Sequence, residues 1–271
     1  MIDRTPSGRA VLDGAIVEPG SLALAWTDPA AQWGLGVFET IAVRDGRPVH
    51  VELHHARLVA AAAKLSIPLP DEKEIGRALA AVAHGHGWAK VLVSRSGHWA
   101  AFAGTSEPEN EGRACSAVIL PWRRHRHDPL AGTKSLAYAA SILGLEEARR
   151  RGADEGLFLN DRGHVVEACT ANVFIVRGRA ALTPALSDGA RDGVTRARAI
   201  ESLRTLGLSV RQGKLRVLAL QHADEVFLTS SLLGVRPVVR IDASDVRGGK
   251  PGPITKQIAE RLGAREVGHH A

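Results

Sequence analysis

Apolar and polar positions alternate through residues 9–17 and 37–51, which also carry β-branched residues, and this period predicts strands. Asp45-Gly46 splits the second run into a hairpin. Residues 52–66 change to helical spacing and stop before Pro68; residues 71–87 read as a second helix, opened by Asp71 with Glu74 three residues on. Strands are predicted at 89–95 and 114–120. The stretch 121–132, PWRRHRHDPLAG, has two prolines and dense charge and reads as a linker.

The second half opens with a predicted helix at 136–151. A strand pair follows at 155–160 and 164–168 around Asn160-Asp161-Arg162-Gly163, then a strand at 172–176 and a turn at Arg177-Gly178. A helix at 193–206, strands at 208–211 and 224–229 flanking a short helix, and a last element at 253–263 complete the pattern. Strands and helices are mixed without βαβ alternation, so the predicted class is α+β. The predicted division is a smaller N-terminal α/β domain over 1–120, an interdomain loop at 121–132 and a larger mixed-sheet domain over 133–271. Neither repeats nor low-complexity tracts interrupt it.

Composition narrows the class. The chain has 271 residues, 45% of them hydrophobic and 24% charged, enough to bury a core and too apolar for a disordered chain. Its apolar runs fall short of the roughly 20 residues that cross a bilayer. The opening MIDRTPSGRA lacks the apolar core of a secretory signal, so a cytoplasmic protein is expected, with no membrane partner. Two cysteines, Cys115 and Cys169, are too few for a disulfide framework or a four-cysteine zinc site. The net charge of +6 invites a nucleic-acid reading, but only seven basic residues are lysine and the arginines are scattered. The one cluster, Arg123-Arg124-His125-Arg126-His127, reads first as a solvated loop and next as a site for a small anionic substrate. Nucleic acid is not an expected partner.

Familiar catalytic signatures are missing: there is no GxGxxG after a strand, no Walker loop and no GxSxG elbow. The histidine pairs His54-His55, His84/His86 and His125/His127 lack a convincing third ligand, so no metal site is expected. Three polar positions stand out among apolar neighbours. Lys134 follows the linker; it reads as a surface lysine or, if buried, as an amine able to attack a carbonyl. Glu167 ends an apolar strand and is either a surface charge or the partner of a buried cation. Gly193-Val194-Thr195-Arg196 opens a helix, as a plain cap or as a phosphate cup.

Their order along the chain resembles the class IV aminotransferases, the fold type IV pyridoxal-phosphate enzymes. The resemblance runs through Gly36-Val37-Phe38-Glu39-Thr40, Asp45-Gly46, His54-His55-Ala56-Arg57-Leu58 and Lys134-Ser135-Leu136-Ala137-Tyr138. It continues through Gly152-Ala153-Asp154-Glu155-Gly156, Glu167-Ala168-Cys169-Thr170-Ala171-Asn172, Gly193-Val194-Thr195-Arg196 and Ala223-Asp224-Glu225-Val226-Phe227. It implies a two-domain enzyme, a homodimer, with pyridoxal 5'-phosphate as cofactor. Lys134 then matches the lysine that forms the Schiff base and shuttles protons, and Glu167 the acid that pairs with the pyridinium nitrogen. Arg57 matches the arginine that reaches the phosphate. Val194 and Thr195 match the helix-start cup, Thr229 and Ser230 a second phosphate loop, Tyr138 a tyrosine beside the cofactor, and Asn172 a support for the Glu167 loop.

The resemblance fixes the cofactor better than the reaction. Branched-chain aminotransferases carry FEG where this chain has Phe38-Glu39-Thr40. D-amino-acid aminotransferases hold the substrate carboxylate with an arginine and histidine pair; Arg95-Ser96-Gly97-His98 offers the residue types at a different spacing. The GxFET pattern and the Glu167–Asn172 stretch look like 4-amino-4-deoxychorismate lyases, which release pyruvate and 4-aminobenzoate in folate synthesis. That reaction is the first expectation, and amino-acid aminotransfer, of branched-chain or D-amino-acid type, the alternative. Either takes a small anionic amine or amino acid, for which Arg95 and Arg124 are the candidate ligands.

Overall fold

A computed structural model describes residues 5–106 and 112–267, with side chains up to residue 263. These residues form two compact units. One comprises residues 5–106 and 133–138, the other 112–132 and 139–267.

The first unit holds β1 (Ala10–Leu12), β2 (Ala15–Val17), α1 (Pro29–Trp33), β3 (Gly36–Arg44), β4 (Arg47–Pro48), α2 (Val51–Leu65), α3 (Glu72–Val82), β5 (Gly87–Ser94) and β6 (Trp99–Thr105). The strands form one sheet in the order β2-β1-β6-β5-β3-β4. Its β3–β4 hairpin turns at Asp45-Gly46, both with positive φ, as a two-residue turn of matching twist requires. Helix α2 buries His54, Leu58, Ala61 and Ala62, one face at helical spacing. Helix α3 starts where the Lys73 amide donates to Asp71 (2.9 Å), and it buries Ile75, Ala78, Leu79 and Val82. Both helices pack with Val37, Ile41, Val43, Val91 and Val93 of the sheet. Strand alternation turns Phe38, Thr40 and Ala42 to the other face.

The second unit holds β7 (Cys115–Arg124), α4 (Ala139–Arg150), β8 (Glu155–Asn160), β9 (His164–Ala168), β10 (Asn172–Arg177), β11 (Ala180–Pro184), α5 (Val194–Thr205), β12 (Ser209–Gly213), β13 (Leu215–Arg216), α6 (Val217–Gln221), β14 (Glu225–Ser230), β15 (Gly234–Ile241), β16 (Ser244–Asp245) and α7 (Pro253–Val267). Its sheet runs β12-β11-β10-β14-β15-β7-β8-β9-β13, with β16 on β15. Parallel pairs (β7–β8, β7–β15, β11–β12) mix with antiparallel ones, as the α+β reading expects. Phe174 and Phe227 stack at 4.8 Å beneath Ala199 and Leu203 of α5 and Ile258 and Leu262 of α7. Helix α7 is held by Glu225, which accepts from the amides of Ile254 (3.0 Å) and Thr255 (2.7 Å) and from the Thr255 hydroxyl (2.6 Å).

Three departures from the sequence reading matter. Strands β6, β11 and β15, and the two-residue strands β13 and β16, have no counterpart in the sequence reading. The linker expected at 121–132 begins as strand, because β7 runs to Arg124 and pairs with β8 across a register shift between Ile119 and Arg123 that takes up Pro121. The boundary expected at residue 120 is therefore misplaced, since β7 lies wholly in the second unit's sheet. Lys134, assigned to the second domain, belongs with residues 133–138 to the first unit. No helix among the described residues is long and apolar enough to cross a membrane.

Candidate active site

Lys134 is placed by a strip of backbone. Strand β4 covers β3 only at Val43 and Arg44, so the first half of that edge is open to pairing. Residues 134–136 fill it: the Phe38 amide donates to the Lys134 carbonyl (3.0 Å), the Leu136 amide donates to the Gly36 carbonyl (2.8 Å), and Ser135 bridges to Val37. Gly36 permits this approach, since a Cβ there would stand 2.4 Å from Leu136 Cδ1. The Lys134 Nζ lies 4.3 Å from the Phe38 ring centroid and 5.7 Å from that of Tyr138, and the two rings meet edge to face at 5.3 Å. A second ammonium, Lys90 Nζ on β5, lies 4.7 Å from the same Phe38 centroid. Lys90 stands opposite Thr40 across the β3–β5 pair, and the buried Thr40 Oγ1 has no hydrogen-bond partner among the described residues.

On the other face of β3, Glu39 is 1% exposed and takes the Arg57 guanidinium as a fork: Nε to Oε1 at 2.7 Å and Nη2 to Oε2 at 2.6 Å. His54 Nδ1 lies 2.8 Å from the same Oε2. Burial pushes the Glu39 carboxyl up, but the Arg57 charge, its hydrogen bonds and His54 overcome that and hold it at about 2. Burial drives His54 downward from its ordinary value, with Glu39 pulling up and the Arg57 and Lys134 charges pushing down. At neutral pH the cluster is thus a carboxylate, a guanidinium and a neutral imidazole. Glu39 fixes the arginine on which an anion would rest.

In the second unit Glu167 pairs with Phe158 across β8–β9 and is buried. Arg124 Nη1 donates to its Oε1, the Arg191 amide donates to Oε2 at 3.1 Å, and Arg191 Nη2 lies 3.8 Å from Oε1. Arg124 also donates to Ser141 Oγ (2.6 Å), with its guanidinium carbon 3.7 Å from the Phe158 centroid. This corrects the expected role of Arg124: its guanidinium is directed at Glu167 and Ser141 and supports the acid, instead of standing ready for a substrate carboxylate.

The same unit gathers the predicted phosphate elements. Asn172 pairs with Thr229 across β10–β14, and its Nδ2 donates to the Arg191 carbonyl (2.9 Å), fastening the turn into α5. Gly193, the N-cap of α5, packs against Asn172 so closely that a Cβ would fall 2.1 Å from Oδ1. Val194 and Thr195 follow, buried, at a helix start whose first amides have no intrahelical acceptor. Thr229 Oγ1 is buried without a hydrogen-bond partner among the described residues, and Ser230 Oγ accepts from the Leu233 amide (3.2 Å). An orphan hydroxyl beside a helix N-terminus suits a phosphate, and a buried, arginine-braced carboxylate suits a ring N–H. The residues present therefore fit pyridoxal phosphate.

The first unit thus brings Lys134 and Tyr138 together through Phe38 and sets Arg57 on the opposite face of β3; Arg95 lies exposed in the turn after β5, its amide bonded to the Leu35 carbonyl (3.0 Å). The second collects Glu167, Arg124, Val194, Thr195, Thr229 and Ser230. Sequence reasoning quotes Glu39 and Thr40 in a family block without giving them a role, and passes over Lys90 and Arg191. A signal for the first existed: a carboxylate on the helix-facing side of a buried strand needs a cation, and Arg57 lies on the helix covering that face.

Residues 36–241 match the family described as amino-transferase class IV, and the chain belongs to it. It is an enzyme of the class that works with pyridoxal 5'-phosphate. A probable branched-chain-amino-acid aminotransferase of Aquifex aeolicus (strain VF5) is 36% identical over 147 residues, 53% of this chain and only 47% of that relative. The aminodeoxychorismate lyase of Bacillus subtilis (strain 168) is 28% identical over 267 residues, 91% of each chain. Among solved structures, the PLP-bound form of a hypothetical aminotransferase from Mycobacterium tuberculosis superposes with a TM-score of 0.86 at 27% identity, covering 97% of this chain and 100% of that one.

Proposed function

We infer that the chain is a 4-amino-4-deoxychorismate lyase, converting its substrate to 4-aminobenzoate and pyruvate. The observation that carries this reading is the second cation: Lys90 Nζ shares the Phe38 ring with Lys134 Nζ, beside the orphan Thr40 hydroxyl. A substrate bearing carboxylates away from its amine finds a counter-ion there, for which an aliphatic side chain has no use. The match to the Bacillus subtilis lyase over 91% of both chains supports it.

Each side chain then has a task. Lys134 Nζ would hold the cofactor through its carbonyl carbon and, as a free amine, would take the proton from the substrate carbon that bears the amine. Bound pyridoxal phosphate supplies the electron sink for the carbanion so formed. Glu167, kept in place by Arg124 and Arg191, accepts the ring N–H. Arg57, oriented by Glu39, is the first unit's cation for a phosphate, and the amides at Val194 and Thr195 with the Thr229 hydroxyl are the second unit's donors for one. Lys90 and Thr40 hold a substrate carboxylate, and Lys134 Nζ returns its proton as pyruvate departs.

The experiment is a product assay on cofactor-loaded protein with 4-amino-4-deoxychorismate, with and without a 2-oxo acid. Both products without an acceptor are expected. Lys90→Ala should lower kcat/KM by ~10–100-fold, mostly through KM, as losing a charge-assisted hydrogen bond implies. A second reading, amino-acid aminotransfer, is favoured by the 36% identity to the Aquifex relative. Amine transfer to the 2-oxo acid, with no 4-aminobenzoate, would establish that reading and overturn the lyase.

A further inference from the structure

Glu155 opens β8, opposite Ala117 of β7, and is 3% exposed. Its Oε1 accepts from the Thr170 hydroxyl (2.7 Å), and the Thr170 amide adds a second bond to the carboxylate. Its Oε2 has no hydrogen-bond partner among the described residues. The side chain lines a small pocket with Thr170, Ala171, Leu228, Ser230 and Arg236. Glu155 thus touches the loop that leads out of Glu167 and faces the turn that carries Ser230.

The charged and titratable groups facing it are few. Arg236 of β15 directs Nε to the Arg113 carbonyl (2.9 Å), and its Nη2 lies 3.8 Å from Asp154. Cys115 of β7 and Cys169 of the loop are thiols that burial pushes up to about 12, so both stay neutral. Oε2 is left without a donor among the described residues, and an ionised carboxylate with a bare buried oxygen is strongly disfavoured. Burial accordingly pushes the Glu155 carboxyl up to about 7, with the Thr170 bonds, the Arg236 charge and the Cys169 amide pulling it only part of the way back.

We propose that Glu155 is a positioning residue: as a neutral acid it fastens the 169–171 loop beside Glu167, and loss of its proton releases that loop. Its bearing on cofactor retention rests on the pyridoxal-phosphate reading; the loop movement does not. The sign follows from linkage. An acid that is harder to ionise in the closed loop than in the open one favours opening as pH rises. If the released carboxyl returns to 4.5, the opening constant grows about tenfold between pH 6 and pH 8.

The test is amide hydrogen exchange of residues 168–172 in the full chain, corrected for intrinsic rates, across that range. The wild type should show the tenfold rise, Glu155→Gln a flat profile, and Thr170→Val a loop already loosened at pH 6. A pH-independent wild type, or the same rise in Glu155→Gln, overturns the proposal. Should Glu155→Gln misfold, infrared spectra of the wild type decide: a protonated-carboxyl band present at pH 6 and gone at pH 8 is required, and its absence at pH 6 overturns the proposal. Pyridoxal-phosphate affinity measured alongside should fall over the same interval in wild type alone. If no cofactor binds at any pH, the functional reading fails while the exchange result still stands.

Discussion

Glu39→Gln is the substitution that tests the Arg57 cluster most directly. The glutamine has the same shape but removes the charge that holds the guanidinium fork, leaving Arg57 and a buried amide in its place. A carboxyl held at about 2 instead of 4.5 contributes ~3 kcal/mol to folded-state stability at neutral pH, in line with the ~3–5 kcal/mol lost when one partner of a buried pair is removed. Because the folded-state value is depressed, that contribution is complete above the unfolded value near 4.5 and disappears as pH falls toward 2. The gap between wild type and variant should therefore be about 3 kcal/mol at pH 7 and shrink steadily below pH 4.5. Urea unfolding followed by tryptophan fluorescence reads it, since Trp88 and Trp99 are buried in the same unit. Affinity should separate two ligands as well: pyridoxal phosphate weakened at least tenfold, pyridoxal, which lacks the phosphate, unchanged. A stability gap below about 0.5 kcal/mol, or one constant from pH 7 to pH 3, would refute the assignment of Glu39 as the ionised anchor of Arg57.

Lys134→Ala should abolish the absorbance of lysine-bound cofactor while a folded chain remains; persistence of that absorbance removes Lys134 from the site. Gly193→Ala places a methyl against Asn172 Oδ1, and cofactor affinity should drop ~10-fold or more, as a displaced phosphate contact implies; equilibrium titration measures it, and adding Asn172→Ala should recover part of the loss. Glu225→Ala removes three hydrogen bonds at the start of α7, and the urea midpoint should fall by the equivalent of ~2 kcal/mol. An unchanged midpoint would mean that α7 is capped by other means.

The parts of this fold that could be read from the chain are those where one local rule decides. Helix α3 has a capping aspartate and a clean apolar stripe, and β3–β4 has an Asp-Gly turn between alternating runs. The strands that escaped notice lack such signals. Strand β6, WAAFAGT, is small residues and aromatics with few β-branched positions, and β15 carries Pro237 in its interior. Pro121 hid the end of β7 in the same way, where a register shift in the parallel pair accommodates it. Lys134 has no local signal at all: nothing in Gly132-Thr133-Lys134-Ser135 reveals a strand that exists only because β3 leaves half an edge open. Its role was legible only in the order of blocks along the chain. Arg124 was misread for a related reason, since a basic run shows charge but not that Phe158, Ser141 and Glu167 would converge on one guanidinium.

The six residues 133–138 have a consequence for modularity. They belong to the first unit, yet the chain reaches them from the second and returns to it, so no single cut separates the units with their parts intact. A fragment ending near residue 106 would lose Lys134 and also uncover the Gly36–Phe38 edge, a bare β-strand margin open to pairing with other chains. Grafting either unit onto a relative would divide Lys134 from one of its neighbours in the chain. The strip that presents Lys134 also seals the sheet beside it, so on the proposed role of that lysine, loss of catalysis and loss of solubility should accompany each other in any truncation that removes it.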